Sequence, residues 1–177
     1  MERSERERID AAWSACRSWI TEFDGACNET VFPGIRPEVL RKVLEDAGAS
    51  IRQPCWSDDY QGPETFDGWT ASKAIERLTG RELVNCFAIW TERLPSGFEL
   101  RVSLMIEPDE AGRIDVTAIW WSDEVFPVPH DTDASAARFV EVLAFFIRLG
   151  DSLLAERIFL SPEDASPPGE RRFLHEF

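Results

Sequence analysis

Adjacent carboxylates, cysteines near histidines, and tryptophans beside acids are the side chains of this sequence whose types and spacing bear on chemistry. The pairs Asp58-Asp59 and Asp123-Glu124 could in principle serve glycoside hydrolysis, one group as acid and the other as nucleophile or base, with tryptophan platforms for sugar rings. Neighbouring acids along a chain usually diverge in direction, however, and tryptophans equally build cores and interfaces. A cysteine nucleophile would need a histidine brought to it by the fold, with Cys27 or Cys55 paired to His130 or His175. Neither cysteine lies in a nucleophile signature. Asp131-x-Asp133-x-Ser135 opens like a calcium loop, but Ala136 stands where the turn glycine belongs and Val142 where the bidentate glutamate belongs, so helix capping explains the residues better. Cys16, Cys27, Cys55 and Cys86 form no C-x-x-C pair and have only two histidines to help them, so they read as small reduced hydrophobes and not as zinc ligands. No phosphate-binding glycine loop, H-E-x-x-H, G-x-S-x-G or dinucleotide fingerprint occurs. The expectation is a non-enzyme with no metal and no cofactor, an uncharacterised hydrolase being the alternative.

The strongest signal is charge. The stretch from Glu107 to Asp133 holds Glu107, Asp109, Glu110, Asp115, Asp123, Glu124, Asp131 and Asp133 against the single Arg113, which accounts for half of the chain's net charge of −14. Trp120, Trp121, Phe126 and Val128 lie in the same stretch, interleaved with the acids. Acid beside large apolar surface suits a basic partner. The same net charge repels phosphate backbones and anionic lipid, so neither nucleic acid nor membrane is an expected partner. The N-terminal MERSERERIDAAW lacks the apolar core of a signal peptide and no run approaches the ~18 apolar residues of a membrane span, so the chain is expected to be cytoplasmic.

The elements that must position these residues follow from period. Ile9, Trp13, Cys16, Ile20 and Phe23 form one stripe of an amphipathic helix, followed by a loop through Cys27, Asn28 and Pro33-Gly34. A second helix starts at Pro37 and stops at Gly48. Ser50 to Trp69 reads as an aromatic and acidic loop containing Trp56, Asp58, Asp59, Tyr60 and Phe66. A third helix has Thr70 as its cap and Gly80 past its end.

The period then changes to two. Phe98 to Ile106 alternates strictly, and Leu83 to Arg93 and Arg113 to Trp121 flank it across short connections, which predicts an antiparallel meander. On the third of these strands Ile114, Val116, Ala118 and Trp120 share one face, so Trp121 must point to the other. A final helix, capped by Asp131 or Asp133, is apolar nearly all round from Phe139 to Leu149 and belongs at the centre of the fold, running with a break at Gly150 to about Phe159.

The fold expected is one α+β domain over residues 1–160, with N-terminal helices, a three- to four-stranded antiparallel β-meander across Leu83 to Phe126 and a long buried C-terminal helix. Residues 161–177 read as a Pro-rich linker and tail. The profile fits an acidic protein-binding inhibitor of the immunity type, covering a basic site on a toxin or effector. A dimeric secretion-type chaperone is the runner-up, with a homodimer its mark. The partner-binding residues expected are Trp121, Asp123, Glu124, Phe126 and Asp131, joined by Trp56, Asp58 and Asp59.

Overall fold

Strict alternation in Glu99–Pro108 makes this strand, β4, the clearest link between sequence and fold: Leu100, Val102, Leu104 and Ile106 are buried while Glu99, Arg101 and Ser103 are exposed. A computed structural model of the chain describes residues 5–22, 27–56, 70–80, 85–109, 111–126, 132–162 and 175–176. Helix α1 spans Glu5–Glu22, strand β1 Cys27–Ile35, helix α2 Pro37–Ala47 and strand β2 Ile51–Trp56. Helix α3 (Ala71–Leu78), strand β3 (Cys86–Arg93), β4, strand β5 (Ile114–Trp121) and the one-turn helix α4 (Ser122–Val125) follow. Helix α5 (Thr132–Leu153) and strands β6 (Phe159–Pro162) and β7 (His175–Glu176) complete the order.

The strands form a single antiparallel sheet in the order β2-β3-β4-β5-β1-β6-β7. The α+β class, the meander β3-β4-β5 and the long buried α5 are as the periodicity predicts. The sheet is wider than expected, because β1 and β2 replace two segments that read as loops and β6 and β7 form where a helix end and the Pro-rich tail were expected. Two-sided burial hides β1 from a search for alternation: Cys27 to Phe32 are all buried. Pro33 and Gly34 do not end the strand, because a register shift between Phe32 and Ile35 absorbs them, with Gly34 at φ +69°. Edge strand β2 tolerates Pro54 in the same way, with its register shifted between Arg52 and Cys55.

One face of the sheet carries the core. Helix α2 shows Leu40, Val43 and Leu44 to it, and α3 shows Ala71, Ala74, Ile75 and Leu78. Thr70 caps α3 by accepting a hydrogen bond from the Lys73 amide at 3.2 Å, and Gly48 ends α2 at φ +45°. Helix α5 lies across the sheet through its aromatics: Phe145 meets Trp90 at 6.1 Å between ring centroids, and Phe146 meets Phe32 at 6.4 Å and Trp120 at 6.2 Å. Trp13 of α1 reaches Phe139 at 5.0 Å.

The last helix ends sooner than its apolar pattern predicts. Leu154 turns into the left-handed region at φ +52°, its amide donating to the Asp151 carbonyl and that of Ala155 to the Gly150 carbonyl, so the chain reverses and Phe159 enters β6. Gly150 lies inside α5 and does not break it. Its small size is required by close packing, since a Cβ there would run into the side chain of buried Ile158.

Candidate protein-binding surface

The exit of β5 is built from the inside outward. Trp120 points into the core, fully buried, and donates its indole N–H to Thr30 Oγ1 at 3.2 Å. Next to it, Asn28 donates to Ser122 Oγ at 2.9 Å, a buried bond that fixes the first residue of α4 to the neighbouring strand. The Phe126 amide donates to the Ser122 carbonyl at 2.8 Å, and its ring packs against Trp120 at 6.2 Å and Phe139 at 6.5 Å. These contacts lock the backbone on either side of Asp123 and Glu124. Both acids are exposed, and no hydrogen bond or ion pair among the described residues engages either of them. Trp121, one residue past Trp120, faces the opposite side of the sheet and is 42 % exposed.

The other acidic cluster of the segment, at the β4-β5 hairpin, is spent on structure. Asp109 accepts hydrogen bonds at one carboxylate oxygen from the amides of Ala111 at 2.8 Å and Arg113 at 2.7 Å, which shapes the turn through Gly112 at φ +77°. Glu107 accepts from the Asn85 side chain at 2.7 Å, and Asp115 accepts from the Gly34 amide at 2.8 Å across the bulge of β1.

Of the residues predicted to bind a partner, the structure brings Trp121, Asp123 and Glu124 together on the surface. Phe126 is corrected: it is buried, because the one-turn helix folds its ring back under Trp120, and it supports the surface from below. Trp56 closes β2, paired in register with Cys86, at the far edge of the sheet from the exit of β5. Asp58, Asp59 and Asp131 lie outside the described residues, as does His130.

Sequence reasoning passed over the neighbours of Trp121. The side of the sheet away from the core also carries Phe87, Ile89, Met105 and Ile119, all half-buried. Register puts Phe87 beside Met105, and Ile89 beside Ser103, which pairs in turn with Ile119. Alternation alone placed Ile119 and Trp121 on one face. That β3 and β4 extend the patch follows from pairing register, which a single strand does not carry.

No protein-family model matches this chain, and no curated protein matches it in sequence. Its fold has a counterpart among solved structures. The chain is similar to one chain of the 1.75 Å crystal structure of the toxic C-terminal tip of CdiA from Pseudomonas aeruginosa in complex with an immune protein. The likeness has a TM-score of 0.56 at 17 % sequence identity and covers 81 % of this chain and 90 % of that one. At this identity it is a likeness of fold.

Cys16, Cys27 and Cys86 are buried thiols outside any disulfide, and burial pushes the Cys16 thiol from 9.0 up to about 12, so it stays protonated and non-nucleophilic at neutral pH. Among the described residues no group of three or more His, Cys, Asp or Glu side chains gathers to hold a metal ion. Nor, among them, is any helix long and apolar enough to cross a membrane.

Proposed function

We propose that this protein is an acidic binding module of the immunity type, which inhibits a toxin or effector enzyme by covering a basic site on it. The observation that carries the reading is Trp121, exposed beside the uncommitted carboxylates of Asp123 and Glu124 on a strand exit pinned to the core by Trp120, Asn28 and Phe126. An aromatic anchor flanked by charge on a rigid base is the arrangement that dominates binding energy at protein interfaces. The fold likeness to a chain from a complex of toxin and immune protein supports the class. Asp131, and the segment of Trp56, Asp58 and Asp59, are proposed as further contacts with the partner.

The mechanism is steric occlusion with electrostatic steering. The excess negative charge raises the encounter rate with a basic partner, and Trp121 and its apolar neighbours slow dissociation. The test is stopped-flow association with a toxin or effector enzyme that the protein inhibits, across a salt series. The rate should fall steeply as ionic strength rises. A rate indifferent to salt, or an Asp123→Arg, Glu124→Arg variant that associates as fast as the parent, sinks the proposal.

A second reading, a dimeric chaperone for a client protein, is favoured by the apolar patch of Phe87, Ile89, Met105 and Ile119. Sedimentation of the protein alone separates the two, since a stable dimer without any partner supports the chaperone.

A further inference from the structure

On the helix side of the sheet, away from Trp121, the carbonyl end of α2, strand β3 and the second half of α5 line a pocket of about 330 Å³. The buried part of its lining is apolar: Trp90 and Phe145 meet edge to face at 6.1 Å between centroids, with Leu149 beside them. The more exposed part is charged. Asp46 comes from the last turn of α2, Glu92 from β3 two residues beyond Trp90, and Arg148 from α5. The Glu92 carboxylate accepts a hydrogen bond from the Trp90 indole N–H at 3.4 Å, which sets it at the edge of the ring.

Two carboxylates and one guanidinium around so small a space would be expected to close on one another. They do not: among the described residues neither Asp46 nor Glu92 forms an ion pair with Arg148. Opposite charges that share a pocket without pairing leave places for a ligand's own charges, one negative at Arg148 and two positive at the acids. The surroundings say which positive groups. The carbonyl end of α2 carries Asp46 and has no basic residue in its last turn, so it favours a compact cation such as an ammonium. An indole ring with a carboxylate at its edge favours a flat, delocalised cation that stacks and donates at once, as a guanidinium does. The volume lies near the small end of the range for ligand sites, roughly 300–1,000 Å³, which suits a single amino acid.

We infer that this pocket binds free arginine. Arg148 takes the α-carboxylate with its planar fork of donors, Asp46 and the carbonyl end of α2 take the α-ammonium, and the ligand's guanidinium lies against Trp90 and donates to Glu92. Net charges match, since two acids and one base on the protein leave minus one and the ligand carries plus one. The inference goes beyond the proposed function and does not depend on it, because the pocket lies on the other side of the sheet from Trp121.

The test is a titration of the full chain followed by heteronuclear NMR at the indole N–H signal of Trp90, assigned by its loss in Trp90→Phe. Four probes are compared at constant ionic strength: L-arginine, agmatine without the carboxylate, N-acetyl-L-arginine without the ammonium, and L-citrulline without the side-chain charge. L-arginine should shift the signal saturably with a Kd of about 1 mM or below. Each of the other three should bind about fivefold more weakly or worse. Arg148→Gln should weaken L-arginine about fivefold and leave agmatine unchanged, and Asp46→Asn should weaken L-arginine and leave N-acetyl-L-arginine unchanged. A disturbed fold would weaken every probe alike, so these paired comparisons report the contacts themselves. No saturable shift with L-arginine overturns the inference, as does agmatine or L-citrulline binding as tightly as L-arginine. N-acetyl-L-arginine binding as tightly assigns the pocket to the C-terminal arginine of a peptide and overturns the free amino acid. An Arg148→Gln variant that weakens L-arginine and agmatine alike, or neither, overturns it as well.

Discussion

At the hairpin end of β5, Glu107, Asp109 and Asp115 each accept a hydrogen bond from a neighbouring amide. At the exit, roughly 25 Å away at about 3.4 Å per residue, Asp123 and Glu124 stand in solvent with none among the described residues. Both ends are rich in acid and look alike as composition. The difference is what the backbone offers. A tight turn and a bulge leave amides in need of acceptors, and short acids beside them are drawn into structure. The exit leaves its acids nothing local to do, because buried Asn28 and Ser122 already hold the chain there. An acid spent on a turn is a poor candidate for a partner, and one on a pinned but unsatisfied surface is a good one.

The largest effect that tests this contrast is at the base of the exit. Trp120→Ala should cost about 3–5 kcal/mol, since it empties a fully buried site and strands the Thr30 hydroxyl. Chemical denaturation measures it, and a loss below about 1 kcal/mol would mean that the exit does not hang on the core. Next comes a probe of the core shared by both ends. The folded-state pKa of the Cys16 thiol lies above its unfolded value, so the associated stability is fully present below pH 9 and is lost as pH climbs from about 9 to about 12. The slope should be about 1.4 kcal/mol per pH unit, on top of that shown by a Cys16→Ala variant, measured by denaturation at pH 8 to 11.

Asp109→Ala should cost about 1–3 kcal/mol, because two turn amides lose their acceptor, and should leave target association unchanged. The smallest effect on stability is the most telling. Asp123→Ala with Glu124→Ala should move unfolding by no more than about 0.5 kcal/mol yet slow target association severalfold. If the hairpin variant slows association and the exit variant does not, the two ends have been assigned the wrong way round.

Much of this was legible in local pattern. The ends of α2, the Thr70 cap, the meander and the opposite facing of Trp120 and Trp121 all follow from period, capping chemistry and turn residues acting over a few positions. Strands β1 and β2 were not, because burial on both faces erases alternation and a Pro or Pro-Gly inside a strand reads as a loop until a register shift absorbs it. Phe126 was misplaced because the same large apolar side chain serves as an anchor or as core, depending on how a four-residue helix turns. Apolar run length overestimated α5, since the hydrophobicity continued at Ile158 and Phe159 belongs to the chain's return, with Ile158 against Gly150 of the helix and Phe159 opening β6.

Composition and short-range spacing sufficed for the class of fold, the strong negative charge and the facing of side chains along each strand, because those depend on chemistry between near neighbours. The division of the acids into spent and free and the wide sheet with β1 at its heart came only with tertiary structure. Each joins residues from distant parts of the chain, and pairing register, which brings them together, is a property of two strands and is written in neither alone.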